Sequence, residues 1–176
     1  DAVFHDGTPF DAEAVAANID RSQNLETSRR KSELSSITGV EVLGSHEIRF
    51  DLADADATLM AQFADRAGMM VSPTAAEAAG DDFGLNPVCS GPYQFKERVA
   101  QDRIVLEKFA DYYNADDFHF DTVTYLPIPD TTVRLANLQS GDVDMIERLA
   151  ATDLAQAEGD DGIKVESAVS LGYQGI

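Results

Sequence analysis

This sequence is short of the residues that build chemistry. Cysteine occurs once, histidine three times, and lysine and arginine together 13 times in 176 residues. With Cys89 alone no internal disulfide can form, and the residue is expected as a small buried apolar side chain. His5, His46 and His119 are widely separated, and none sits at the i,i+4 spacing of a helical metal site. No metal and no cofactor is expected. Ser90-Gly91 lacks the Gly-x-Ser-x-Gly frame of a nucleophile elbow, and no glycine loop of the phosphate-cradling kind occurs. The pairs Asp142/Asp144 and Asp54/Asp56 lack the other oxygen ligands, glycine and closing glutamate of a calcium loop. No apolar run approaches the ~18 residues of a membrane-spanning helix, and no signal peptide opens the chain.

Negative charge is what the sequence has in plenty. Its 32 acidic against 13 basic residues give a net charge of −19. Nucleic acid is excluded as a partner, because neutralising phosphates takes clustered Lys and Arg. Docking on an anionic membrane surface is disfavoured for the same reason. The plain consequence is solubility, with steering of cationic ligands as a second effect. Asp outnumbers Glu and Lys is scarce, a composition suited to a salty habitat. A length of 176 residues fits one domain, or one domain with a small additional lobe.

Several elements can be read from periodicity. Asp11 is a helix N-cap candidate after the Gly7-Thr8-Pro9 turn, and Ala12, Val15, Ala16 and Ile19 follow at helical spacing. Val40–Leu52 alternates as a hairpin turning at Gly44-Ser45-His46. Residues 57–67 read as a helix with an apolar stripe of Leu59, Met60 and Phe63, and Met69–Val71 as a short buried strand. Pro73 opens a short Ala-rich helix ending near Gly80, and residues 81–84 mark a boundary. Beyond it, strands are expected over 123–128, 142–146, 163–165 and 169–173. A helix capped by Asp130 and stopped by Gly141 lies between the first two, and a shorter one over 153–158.

The centre of the chain is Asn86 to Tyr113. Pro87, Gly91 and Pro92 punctuate a turn. Tyr93 and Phe95 then alternate with Gln94 and Lys96, Val99–Asp102 turns, and Ile104–Leu106 returns as the second strand of a hairpin. Phe109 to Tyr113 follows as a loop with aromatic anchors. The blocks Asn-Pro-Val-x-x-Gly-Pro-Tyr-x-Phe, Asp-Arg-Ile-Val-Leu-Glu and Asp-Tyr-Tyr in this stretch resemble the signature of the family-5 extracellular solute-binding proteins. Three further blocks agree in order: Phe4 to Phe10, Tyr125 to Asp130 with Arg134, and Leu138-Gln139-Ser140-Gly141-Asp142-Val143-Asp144. One departure is Cys89-Ser90, where the family usually has Gly-Thr.

The resemblance implies a mixed α/β fold like the type II periplasmic binding proteins. Residues 1–84 would form part of an accessory subdomain of the first lobe and residues 85–176 its core segment, with the chain a fragment lacking the second lobe. It implies an extracytoplasmic, non-enzymatic receptor that captures peptides for an ABC importer by lobe closure and hands them to permease subunits. A nickel chelate, glutathione, an opine or a sugar is the alternative solute. By position, Glu147, Arg148 and Tyr173 are the ligand-contact candidates: Glu and Arg suit peptide termini, and Tyr offers a ring and a hydroxyl. Two other readings stay open, an enzyme built on a Cys89–His dyad and a stand-alone interaction module.

Overall fold

The computed structural model describes residues 2–168. The expected strand over 169–173, and with it Tyr173, lies outside the described residues. The backbone divides after Tyr125 into two compact units.

The first unit begins with a turn closed by a bridge between Val3 and Pro9. Helix α1 (Ala12–Asn24) follows, and the Asp11 side chain accepts from the Ala14 amide as its N-cap. Strands β1 (Ile37–Gly44) and β2 (Glu47–Leu52) form the expected antiparallel hairpin. One face of α1 packs on it: Ile19, Leu34, Ile37, Leu59 and Ala67 make a buried cluster, flanked by Val15, Val40, Phe50, Leu52, Phe63 and Met70. This is the burial that α1's apolar spacing demanded.

Two expectations in this region are corrected. The helix over 57–67 is only α2 (Leu59–Phe63) followed by a separate 3-10 turn at Arg66–Gly68. It is cut short because the Ala64 amide shares its Met60 bond with the nearer Ala61 carbonyl, the Asp65 amide bonds the nearer Gln62 carbonyl, and Asp65 is extended. Met60 faces solvent at 77% exposure rather than lining a stripe. Met69–Val71 is not a buried strand either. Met69 is exposed, and only a single bridge joins Val71 to Cys89. The buried side chain of Asn18, in mid-helix, accounts for this: its Oδ1 accepts from the Val71 amide at 2.9 Å and its Nδ2 donates to the Val71 carbonyl at 2.8 Å. A side-chain amide thus takes the ladder bonds that a partner strand would supply.

Helix α3 (Pro73–Ala79) is capped by Ser72, with Pro73 in its first turn. Strands β3 (Tyr93–Val99), β4 (Arg103–Lys108) and β5 (Thr122–Tyr125) form an antiparallel sheet in that order. The central hairpin is therefore present, with a register shift between Phe95 and Glu97 and Gln101 in the left-handed region at its turn. Two earlier segments of the unit are tied to this sheet's entry: the Ser72 amide donates to the Val88 carbonyl and the His5 amide to the Cys89 carbonyl.

The second unit contains α4 (Thr131–Ser140) and α5 (Leu154–Glu158). Asp130 caps α4 by accepting from the Val133 amide, and Gly141 ends it at φ +82. The Asp142 amide bonds the Asn137 carbonyl and the Gly141 amide the Leu138 carbonyl, a Schellman closure. Gln156 donates to Gln139, joining the two helices. The strands expected over 142–146 and 163–165 are not formed. Asp142 and Val143 spend their amides on the Asn137 carbonyl, and the described residues of this unit offer no strand to pair with.

Candidate functional site

Two constellations carry the residues singled out above, one in each unit. In the first unit, the segment His5–Thr8 reaches two other parts of the chain. Asp6 Oδ2 accepts from the Ser72 hydroxyl at 2.5 Å, and Oδ1 accepts from the Thr8 hydroxyl and amide at 2.6 and 3.0 Å. Partial burial pushes the Asp6 carboxyl upward, but the bonds from Ser72 and Thr8 outweigh it and hold the group below its ordinary value. Ser72 is fully buried and also accepts from the Ala75 amide at 3.1 Å.

His5 grips the Cys89–Gly91 turn. Its Nε2 donates to the Gly91 carbonyl at 2.9 Å, so Nδ1 is the acceptor facing the Cys89 amide at 3.4 Å. Its ring stands edge-on to the buried Phe109, with centroids 4.9 Å apart. Both ring nitrogens thus serve the main chain, and burial pushes the Cys89 thiol upward, away from the reactive thiolate. That geometry gives a Cys89–His5 pair no base. Beside the Cys89–Gly91 turn, a cleft of about 320 Å³ is lined by Val3, Phe10, Ser90, Gly91, Tyr112 and Tyr113.

In the second unit, Glu147 and Arg148 lie in the irregular segment between α4 and α5, and both are exposed. Arg148 is in the left-handed region at φ +59, which costs a side-chain-bearing residue about 1–2 kcal/mol. Arg134, on the first turns of α4, spans this segment. Its Nη1 donates to the Ile128 and Pro129 carbonyls at 2.7 and 3.1 Å, and its Nη2 to the Arg148 carbonyl at 3.1 Å. In the sequence Arg134 stands out only as part of a family block. The available signal was a cation near a helix N-terminus, where the dipole disfavours it. Among the described residues no cluster of three or more His, Cys, Asp or Glu side chains has the geometry to hold a metal ion.

All of residues 1–176 match the family described as bacterial extracellular solute-binding proteins, family 5 middle. The chain belongs to the family-5 extracellular solute-binding proteins. Among curated relatives, the glutathione-binding protein GsiB of Salmonella paratyphi A is 34% identical over 140 residues, 79% of this chain and 27% of that protein. GsiB of Escherichia coli O1:K1 / APEC is 28% identical over 169 residues, 96% of this chain and 33% of the relative. The chain thus spans about a third or less of the curated relatives it matches. Among solved structures, AgaA of A. tumefaciens R10 in complex with agropinic acid superposes with a TM-score of 0.84 at 28% identity, covering 91% of this chain and 33% of AgaA. OppA of Burkholderia pseudomallei gives 0.81 at 22% identity over 90% of this chain and 35% of its own. NikZ of Campylobacter jejuni, solved with Ni(L-His), gives 0.79 at 21%, over 92% and 32%. This family-5 protein has the mixed α/β fold of the type II periplasmic binding proteins.

Proposed function

We propose that this chain is part of an extracytoplasmic receptor that captures a peptide or a similar small solute for an ABC importer and does no chemistry on it. The observation that carries this is the backbone likeness, over nine-tenths of the chain, to AgaA with agropinic acid bound. The curated relatives named for glutathione binding favour a peptide-like solute; a nickel chelate, an opine or a sugar is the alternative. Glu147 and Arg148 are the proposed contacts of this chain with the solute's charged ends, joined by Tyr173. Their pairing of opposite charges on one exposed segment suits a zwitterion. Closure of two lobes is the proposed mechanism, and permease subunits the proposed partners. Residues 1–84, with their own β1–β2 sheet, would be part of an accessory subdomain of the first lobe, and residues from 85 onward its core.

A thermal-shift screen of the full-length gene product tests the reading. Glutathione, a di- to pentapeptide pool, an opine, Ni(L-His) and a mixture of small sugars are the probes. A ligand at about 100 times its Kd stabilises by about 2.7 kcal/mol, so one class is expected to raise Tm by several degrees. A flat response to all five classes contradicts the reading.

A further inference from the structure

We propose that Arg134 is the positioning residue of the solute site: its guanidinium clamps the Glu147–Arg148 segment in the one backbone shape that presents both side chains. The inference rests on the reading that Glu147 and Arg148 meet the solute.

Three observations converge on it. Arg134 gives donors to three main-chain carbonyls, two just before α4 and one at Arg148, fourteen residues further on. It therefore ties the rigid start of a capped helix to a segment that lacks regular structure of its own. Second, the residue whose carbonyl it holds is one of the second unit's strained positions, Arg148 at φ +59. A left-handed backbone at a side-chain-bearing residue persists only where its surroundings fix it, and such strain gathers at binding sites. Third, the preceding turn is fixed from the other side. The Schellman closure at Gly141 and the bond from the Ser140 hydroxyl to Asp142 at 2.8 Å set where the chain leaves α4. The segment is thus held at its start by the helix cap and at Arg148 by Arg134. A lysine at 134 would carry the charge but not the planar fork that reaches carbonyls on two segments at once.

The test uses the full-length protein and whichever solute class the thermal-shift screen selects. Arg134→Ala, Arg134→Lys, Glu147→Ala and Arg148→Ala are compared by calorimetry, and amide hydrogen exchange is followed over residues 146–150 without solute. Arg134→Ala is expected to weaken binding about tenfold, the size of one lost charge-assisted hydrogen bond. It should speed exchange at 146–150 while leaving the core's exchange unchanged, and Arg134→Lys should fall between it and the parent. If Glu147→Ala or Arg148→Ala weakens binding and both Arg134 variants bind and exchange like the parent, the positioning role is wrong and the contact assignment stands. If neither Glu147→Ala nor Arg148→Ala alters binding, the contact assignment itself is wrong and the role falls with it. Should Arg134→Ala fail to fold, the Arg134→Lys comparison decides by the same criteria.

Discussion

Asp6 and Ser72, 66 positions apart, share a hydrogen bond of 2.5 Å, with Ser72 fully buried and capping α3. The carboxylate of an amino-terminal turn is thereby fastened to the start of a helix, and the same turn's His5 holds the Cys89–Gly91 entry to the central sheet.

Removing either partner should be felt, and the two losses should not add. Ser72→Ala is expected to cost about 1–2 kcal/mol, the usual loss for an N-cap, measured by urea unfolding. In the Asp6→Asn, Ser72→Ala double variant the combined loss should fall short of the sum. Strict additivity would mean the bond contributes nothing.

The same carboxylate predicts an acid limb. Asp6 titrates below its ordinary value in the folded chain, so its contribution is present above the unfolded pKa of about 3.9 and is lost as pH falls through the lower, folded value. Stability followed from pH 5 down to pH 2 should decline less steeply in Asp6→Asn than in the parent. Equal slopes would show that Asp6 takes no part in acid unfolding.

Cys89 should behave as a protected thiol. Burial raises its pKa, so less thiolate is present near neutral pH than in a free cysteine. Iodoacetamide should alkylate it more slowly than it alkylates free cysteine at pH 7.5, and the rate should still be climbing at pH 9. Fast modification at pH 7 would revive the enzymatic alternative.

Two glycines should respond for different reasons. At Gly141 an added Cβ meets nothing within 4 Å, yet φ is +82, so Gly141→Ala should cost about 1 kcal/mol through backbone strain alone. At Gly68 the Cβ would lie 1.9 Å from the Phe63 carbonyl oxygen. Gly68→Ala forces the α2 connection to shift and should be the more damaging of the two by thermal unfolding. The reverse order would contradict the close packing of α2 on the 3-10 turn.

The sequence discloses much of what rests on local chemistry, though not the tightened turn that ends α2 at Phe63. Asp11, Pro73, Asp130 and Gly141 bound helices as their side chains and backbone freedom require, and both hairpins alternate as strands do. It failed where the deciding contact is distant. Asn18 satisfies Val71 across 53 positions and abolishes a strand, and a polar residue in a helix gives no hint of such a partner. The segment 142–146 has strand composition, but pairing is a property of two segments and the second unit's described residues provide no other. For the proposed solute contacts, position within the family resemblance, rather than residue type, points to Glu147 and Arg148. Arg134 escaped because its acceptors are carbonyls, which every residue carries and no sequence distinguishes.

The most direct measurement of solute capture is native mass spectrometry of the full-length protein purified without denaturant. Solute capture predicts a complex heavier than the polypeptide by the mass of one small molecule, released on mild activation and identifiable as a peptide, glutathione or related solute. A protein that carries no small molecule, and that acquires none when offered those solute classes at millimolar concentration, would contradict it.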